Sequence, residues 1–449
     1  DNSIDSKLTI SGTVNNANGQ AKVENYGNKG LSISGTVNAD SAYVLNGFVN
    51  TDPDKTVADM NISGAVNTTG NAEFINTKHG VGGMNISGVI SSDTATFTNN
   101  GAGGLNVSAN STNTNNIVTN GLEMYNTGEN GLNISGKVQN DGTATIHNYE
   151  GGTNGLNISG TFVNTGNAAI TNDGEKGLNV SGTLTSTTLN MTNNGTDGMN
   201  FKSGANVTIN GNSEYINSNG VMHAQNGSTL KNTSGTAHYE NTGSGGMLFE
   251  GTVINTGTTN AENKAGEMRL GGNFTNTGAS TFTNTGTALN VTGNLSNIGD
   301  KLTITNNGAG GLNIQTNANV SNTKNTEIKN TGAAGLNVYG TIENGEELNI
   351  NNSGTEGFNT TGNISADGNI ITLNTGAKGT NLKSTGRITG QKNITIEDNS
   401  AGGVNIQGIV KADKQNISIS SQGGNVTIGD NTSNNNYVNA KGNVNITSK

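Results

Sequence analysis

The sequence predicts an all-β fold, a single-stranded right-handed parallel β-helix of about nineteen rungs with three short strands in each. Three observations predict it. A phrase of the form GLNISG restarts about every 21 to 24 residues along the chain, the mark of a solenoid. Within each repeat, aliphatic and polar residues alternate with the period of a strand. The composition is 449 residues with 69 Gly, one Pro, no Cys, no Trp and only 30% hydrophobic residues. That is too little apolar side chain for an ordinary globular core, but enough for a narrow column of stacked side chains. Disorder usually accompanies high charge or abundant Pro, whereas here 12% of residues are charged and aliphatics recur at regular places.

The elements of a rung follow in order. The phrase begins at Leu8, Leu31, Met60, Met84, Leu105, Leu132, Leu156 and Leu178, and again from Met247 through Leu289, Leu312 and Leu336 to Val404. In Leu156-Asn157-Ile158-Ser159 the two aliphatics share one face and the two polar residues the other. A short middle run, as in GTFVNTG, ends in a turn. In the third run, Ala168-Ala169-Ile170 and its equivalents Ala72-Glu73-Phe74 and Ala95-Thr96-Phe97, a small and a large residue point the same way. Helices are excluded by Gly content, at up to ~1 kcal/mol for each Gly relative to Ala. Asn follows the inward aliphatic at a fixed offset in Asn76, Asn99, Asn148, Asn172, Asn193, Asn284 and Asn306. An amide both donates and accepts, so these residues are expected to form a buried ladder. One continuous β-helix domain over 1–449 is expected, with irregular rungs near 38–59, 110–130 and 201–250 and a further break around Lys383 and Arg387.

The net charge of -10 is dispersed, and no basic stripe exists to neutralise phosphates, so nucleic acid is not an expected partner. No apolar run approaches the roughly 20 residues of a membrane helix, and DNSIDSKLTI lacks the pattern of a signal peptide; a soluble chain without membrane insertion is expected. Catalysis of the kind β-helices perform on uronic acids needs clustered carboxylates with Arg or Lys on one outward strand. Here the outward positions carry Ser, Thr and Asn, so no enzyme is expected. Asp52, Asp54 and Asp59 read as a solvated loop. His79, His147, His223 and His238 fall in separate rungs without zinc spacing. No metal and no cofactor are expected.

The repeat also spells Asn-x-Ser/Thr, the acceptor of N-linked sugar, with Asn61, Asn85, Asn133 and Asn157 on the outward face. The text GLNISG(T)VxNTGNAxITNxG and the tail GNVTIGDNTSNNNYVNAKGNVNITSK resemble the high-molecular-weight adhesins of Haemophilus, within the filamentous-haemagglutinin-like exoproteins exported by two-partner secretion. The resemblance implies an outer-membrane secretion partner, a secreted or bacterial cell-surface location, hexose on such sequons, and binding of sialylated host glycans. Without that family's amino-terminal secretion domain and carboxy-terminal anchoring segment, the sequence is expected to be a central portion of a longer fibre.

A uniform polar rod cannot prefer one rung, so ligand contact is expected where the repeat breaks. The chain's two arginines are Arg269 and Arg387. Arg269 replaces the usual outward Asn in MRLGG, and a guanidinium can take a sialic-acid carboxylate bidentately. Tyr215 or Tyr239 would supply the flat face on which sugars stack. The expected function is that of a monomeric surface adhesin binding host-cell glycans or glycoproteins. The alternative is a structural stalk, of a biofilm fibre or a toxin-delivery exoprotein, with no ligand of its own.

Overall fold

The computed structural model describes residues 5–47, 56–77, 81–109, 114–429 and 437–449. Among these the chain is all-β without a helix, a parallel β-solenoid of about 18–19 turns with stacked coils. Residues group into two compact units, Asp1–Val221 with Gly227–Lys231, and Met222–Asn226 with Asn232–Lys449.

In the first unit one rung consists of Leu156–Ile158, Thr161–Asn164 and Asn167–Asn172. Each strand pairs in parallel with its equivalent above and below: Leu132, Leu156 and Leu178 are in register, as are Ile134, Ile158 and Val180. The second unit repeats the pattern with Leu312–Ile314, Asn319–Asn322 and Thr326–Asn330, and Leu312, Leu336 and Phe358 share a register. Alternation along each strand sends Leu156 and Ile158 into a fully buried column while Asn157 stays half-buried outside. Phe74 and Phe97 stack with centroids 4.9 Å apart and planes at 7°, matching the ~4.8 Å strand spacing. Identical residues therefore recur because each layer packs on a copy of itself.

The glycines of the phrase have two separate duties. Gly155, just before the first strand, has φ 72°, a left-handed conformation that a side chain disfavours. Gly160, just after it, lies against the preceding rung, where a Cβ would meet the Gly136 carbonyl oxygen at 2.1 Å.

The predicted amide ladder is present at the end of the third strand. In the first unit, Nδ2 of Asn25 donates to Oδ1 of Asn46, and the chain of bonds continues through Asn76, Asn99, Asn126, Asn148, Asn172 and Asn193 to Asn217, at 2.7–2.9 Å. In the second unit it runs from Asn241 through Asn263, Asn284, Asn306, Asn330 and Asn352 to Asn374, at 2.7–2.9 Å. The second amide hydrogen goes to the turn, as in Asn306 Nδ2 to the Gly308 carbonyl at 2.8 Å and Asn330 Nδ2 to Gly332 at 3.0 Å. The recurrent Asn-x-Gly is thus one device: the amide ties the rung to its neighbour and closes its own turn.

A shorter ladder ends the second strand. In the first unit Asn140 donates to Asn164 at 2.6 Å, and Asn164 to the Ser186 hydroxyl at 3.1 Å. In the second unit Asn276 donates to Asn297 and Asn297 to Asn322, each at 3.0 Å. Thr326 then links Asn322 to Asn344, accepting at 3.1 Å and donating at 2.7 Å.

Candidate functional site

The outward position of the first strand carries Asn in most rungs and forms a half-buried ladder of its own. Asn85 donates to Asn61 at 3.1 Å, Asn133 to Asn106 at 3.0 Å, and Asn157 to Asn133 at 2.9 Å. In the second unit this column starts differently, with His223, Leu248 and Arg269 where Asn would stand, before Asn290 restores the repeat. There a polar network replaces the ladder. Arg269 Nη1 reaches Glu250 Oε1 at 3.3 Å, and its Nε and Nη2 reach the two Glu267 oxygens at 3.3 and 3.4 Å. His223 Nε2 lies 2.9 Å from Glu250 Oε2, and Asn290 Nδ2 donates to Glu267 Oε1 at 2.7 Å. An open depression flanks it, lined by Asn226, Glu250, Arg269, Asn273, Asn294 and Asn317.

This arrangement corrects the expected carboxylate clamp. The guanidinium is already bidentate to Glu267 and bonded to Glu250. Glu267 and Glu250 hold its pKa above the ordinary arginine value, while the hydrogen bond from His223, aided by Arg269, holds Glu250 below the usual carboxylate range. An incoming carboxylate would have to displace two acidic side chains fixed on neighbouring strands and turns. Arg387 is exposed at the start of its own strand, in register with Asn363 and Ile409. It sits on a different strand column five rungs further on, roughly 24 Å at ~4.8 Å for each rung, so the two arginines do not share a site.

Tyr215 and Tyr239 are corrected too. They are 1% and 2% exposed and present no face to a ligand. Tyr215 packs edge-on against Phe201 at 5.6 Å, and Tyr239 against Phe249 at 5.0 Å. Burial pushes the Tyr215 phenol up, so it stays protonated. Both occupy the inward position before the ladder Asn: Tyr215 is in register with Met191, and Tyr239 with Ala261. The signal was in the text. SEYIN and AHYEN fit the frame of AAITN, in which the residue two before Asn points into the core.

The four sequon residues Asn61, Asn85, Asn133 and Asn157 face outward as expected, but they are half-buried and held within the outer ladder. Asn157 commits Nδ2 to Asn133 and also to the Asn154 carbonyl at 3.4 Å. Sugar attached there would take the place of a ladder hydrogen. Sequence reasoning passed over a second set of sequons, Asn206, Asn273, Asn294 and Asn363, which open the second strand and are exposed. Their common frame, Gly or Ala followed by Asn-aliphatic/aromatic-Ser/Thr, was readable.

Also missed was an outward aromatic cluster in the first unit. His147 stacks on Tyr149 with centroids 3.7 Å apart, and Tyr125 lies 6.4 Å from Tyr149. Tyr149 is 38% exposed. Beside them Asp173 takes His147 Nε2 at 2.6 Å and Asn194 Nδ2 at 2.6 Å. Parallel register creates the cluster, because Tyr125 and His147 are direct partners on adjacent third strands. His238 stands 3.7 Å from Glu240, which Lys264 also pairs. Asp59 accepts the Gly83 backbone amide at 2.7 Å, whereas Asp52, Asp54 and His79 lie outside the described residues.

No family model, curated protein or solved structure matches the chain.

Proposed function

We propose that the chain is part of a bacterial surface adhesin that binds host-cell glycans without catalysis, exported with the help of an outer-membrane secretion partner. The observation that carries the reading is the cluster of Tyr125, His147 and Tyr149 beside Asp173. An aromatic edge with an adjacent hydrogen-bonding carboxylate offers a sugar both a surface for its apolar face and an acceptor for its hydroxyls. A rigid stack of paired strands holds that cluster in place at little ordering cost. The sequence resemblance points to sialylated glycans. With Arg269 committed to two glutamates, recognition here rests on stacking and hydrogen bonding, so each contact is weak and attachment depends on many copies on a cell surface.

The uniform ladders favour a second reading, a stalk without a ligand, because their regularity serves length alone. A glycan array and a cell-adherence assay on the purified chain separate the two. Tyr149→Ala should lower adherence roughly three- to tenfold while leaving the melting temperature unchanged. Absence of any glycan or cell binding by the parent protein would leave the stalk.

A further inference from the structure

The dipeptide Asn-Gly recurs along the chain, and the fold treats its copies unequally. Asn46 and Asn344 are buried in the amide columns, and the amides of Gly47 and Gly345 donate to the carbonyls of Asn25 and Asn322 at 2.9 and 2.7 Å. Asn120 donates from Nδ2 to the Asp93 carboxylate at 2.9 Å, and the Gly121 amide donates to the Asp93 carbonyl at 3.0 Å. Asn154 is held by Asn130 and Lys176, each at 3.2 Å, and the Gly155 amide by the Gly152 carbonyl, also at 3.2 Å. Gly227, which follows Asn226, accepts the Gly204 amide at 3.1 Å. Each of these copies is tied to its own turn or to a neighbouring rung.

Asn18-Gly19 is not. The strand Thr13–Asn25 pairs with Thr36–Asn46 as far as Asn16 and resumes at Gln20, so Ala17, Asn18 and Gly19 stand opposite Asp40 alone and have no partner in the register. Asn16 closes this bulge by donating from Nδ2 to the Gln20 carbonyl at 3.0 Å. Asn18 is exposed, and among the described residues no group bonds its side chain. Gly19 has no side chain to shield its backbone nitrogen from the Asn18 amide carbon.

We infer that Asn18 is the residue at which the folded chain deamidates first, a modification selected by the bulge and independent of any ligand the rod binds. The Gly19 nitrogen gives up its proton to water and attacks Cγ of Asn18. The new N–Cγ bond forms, the Cγ–Nδ2 bond breaks, and ammonia leaves with a proton taken from water. A second water opens the resulting five-membered imide at either carbonyl, giving aspartate at position 18 or an isoaspartyl link in which the backbone runs through the side chain. The attack requires two groups free to turn toward each other. Residues without register partners have that freedom, whereas a pinned Asn-Gly must first break its hydrogen bonds. Either product adds a negative charge, and the isoaspartyl link also adds a carbon to the span that the Asn16 amide bridges.

The test is peptide mass spectrometry of the full chain held in mildly alkaline buffer, folded and in concentrated urea, with isoaspartate identified by its resistance to a protease that cuts before aspartate. In the folded chain Asn18 should convert at least about tenfold faster than Asn46, Asn120 or Asn154, and in urea the rates should converge. Gly19→Ala should slow Asn18 about tenfold by crowding the attacking nitrogen. Its melting temperature should match the parent's, since the added Cβ would meet only the end of the Asn16 side chain, at 3.1 Å. Conversion of Asn18 no faster than that of the pinned residues overturns the proposal. A lead that persists in urea overturns the role of the bulge, and a rate untouched by Gly19→Ala overturns attack by the Gly19 nitrogen.

Discussion

The second unit holds two buried amide columns that end in different ways. The column at the third strand closes on Asp398, a fully buried residue standing where Asn would be. Its Oδ2 accepts Asn374 Nδ2 at 2.7 Å and the Thr380 hydroxyl at 2.8 Å, while Oδ1 accepts the Ser400 backbone amide at 2.9 Å and the Ser400 hydroxyl. The column at the second strand simply stops: Ala366 follows Asn344, and a donor is left over. A ladder in which every residue gives and takes must end on a residue that only takes, or on one that can pass the bond to the backbone. Asp398 is the first kind. Ser186 in the first unit is the second, accepting from Asn164 and donating to the Thr188 carbonyl at 2.7 Å. Ala366 is neither.

Breaking the well-made end should have the largest effect. Asp398→Ala strands an Asn amide, two hydroxyls and a backbone amide in a dry site, and a loss of about 3 kcal/mol is expected in chemical denaturation. A variant as stable as the parent would show that termination is not what the carboxylate does. Cutting a ladder in its middle comes next. Asn306→Ala leaves Asn284 without its acceptor and Asn330 without its donor, for about 2 kcal/mol. The matching cut in the half-buried outer ladder, Asn157→Ala, should stay within about 0.5 kcal/mol, because water replaces what is lost. Equal losses at the two positions would contradict the dependence on burial. Mending the poor end is the change most diagnostic in sign. Ala366→Ser reproduces Ser186 and should gain about 1 kcal/mol, read as a rise in melting temperature. A fall would mean that Asn344 is satisfied in some other way.

Most of the fold was legible because a solenoid writes its register into the sequence: Leu132, Leu156 and Leu178 are the same word in the same place, and so are the ladder asparagines. The surface was less legible. Tyr215 and Tyr239 fall where the phrase GLNISG fails, which suggests a free sugar-stacking face, yet the third-strand frame continues through both and sends them inward. Arg269 was noticeable as a rarity, yet its partners Glu250 and Glu267 lie one rung back and two residues before it, and pairing between side chains on adjacent strands has no signature in a single repeat. Tyr125, His147 and Tyr149 were invisible for the same reason, since rungs separated by more than twenty residues bring them together. The break in the second-strand column, Ala366 where its predecessors are amides, emerges only once the columns are aligned.

The inner and outer asparagine columns donate in opposite senses. At the third strand each amide gives its hydrogen to the following rung, as Asn306 does to Asn330, while at the first strand each gives to the preceding one, as Asn337 does to Asn313 at 2.8 Å. A single column of aligned amides behaves like a helix, whose peptide dipoles sum to partial charges at its two ends. The outer column therefore opposes the third-strand column along the axis, while the second-strand column, in which Asn276 gives to Asn297, points with the third. Stacking another rung in such a unit therefore adds hydrogen bonds between layers, while the outer column offsets part of the axial field that the two buried columns build up.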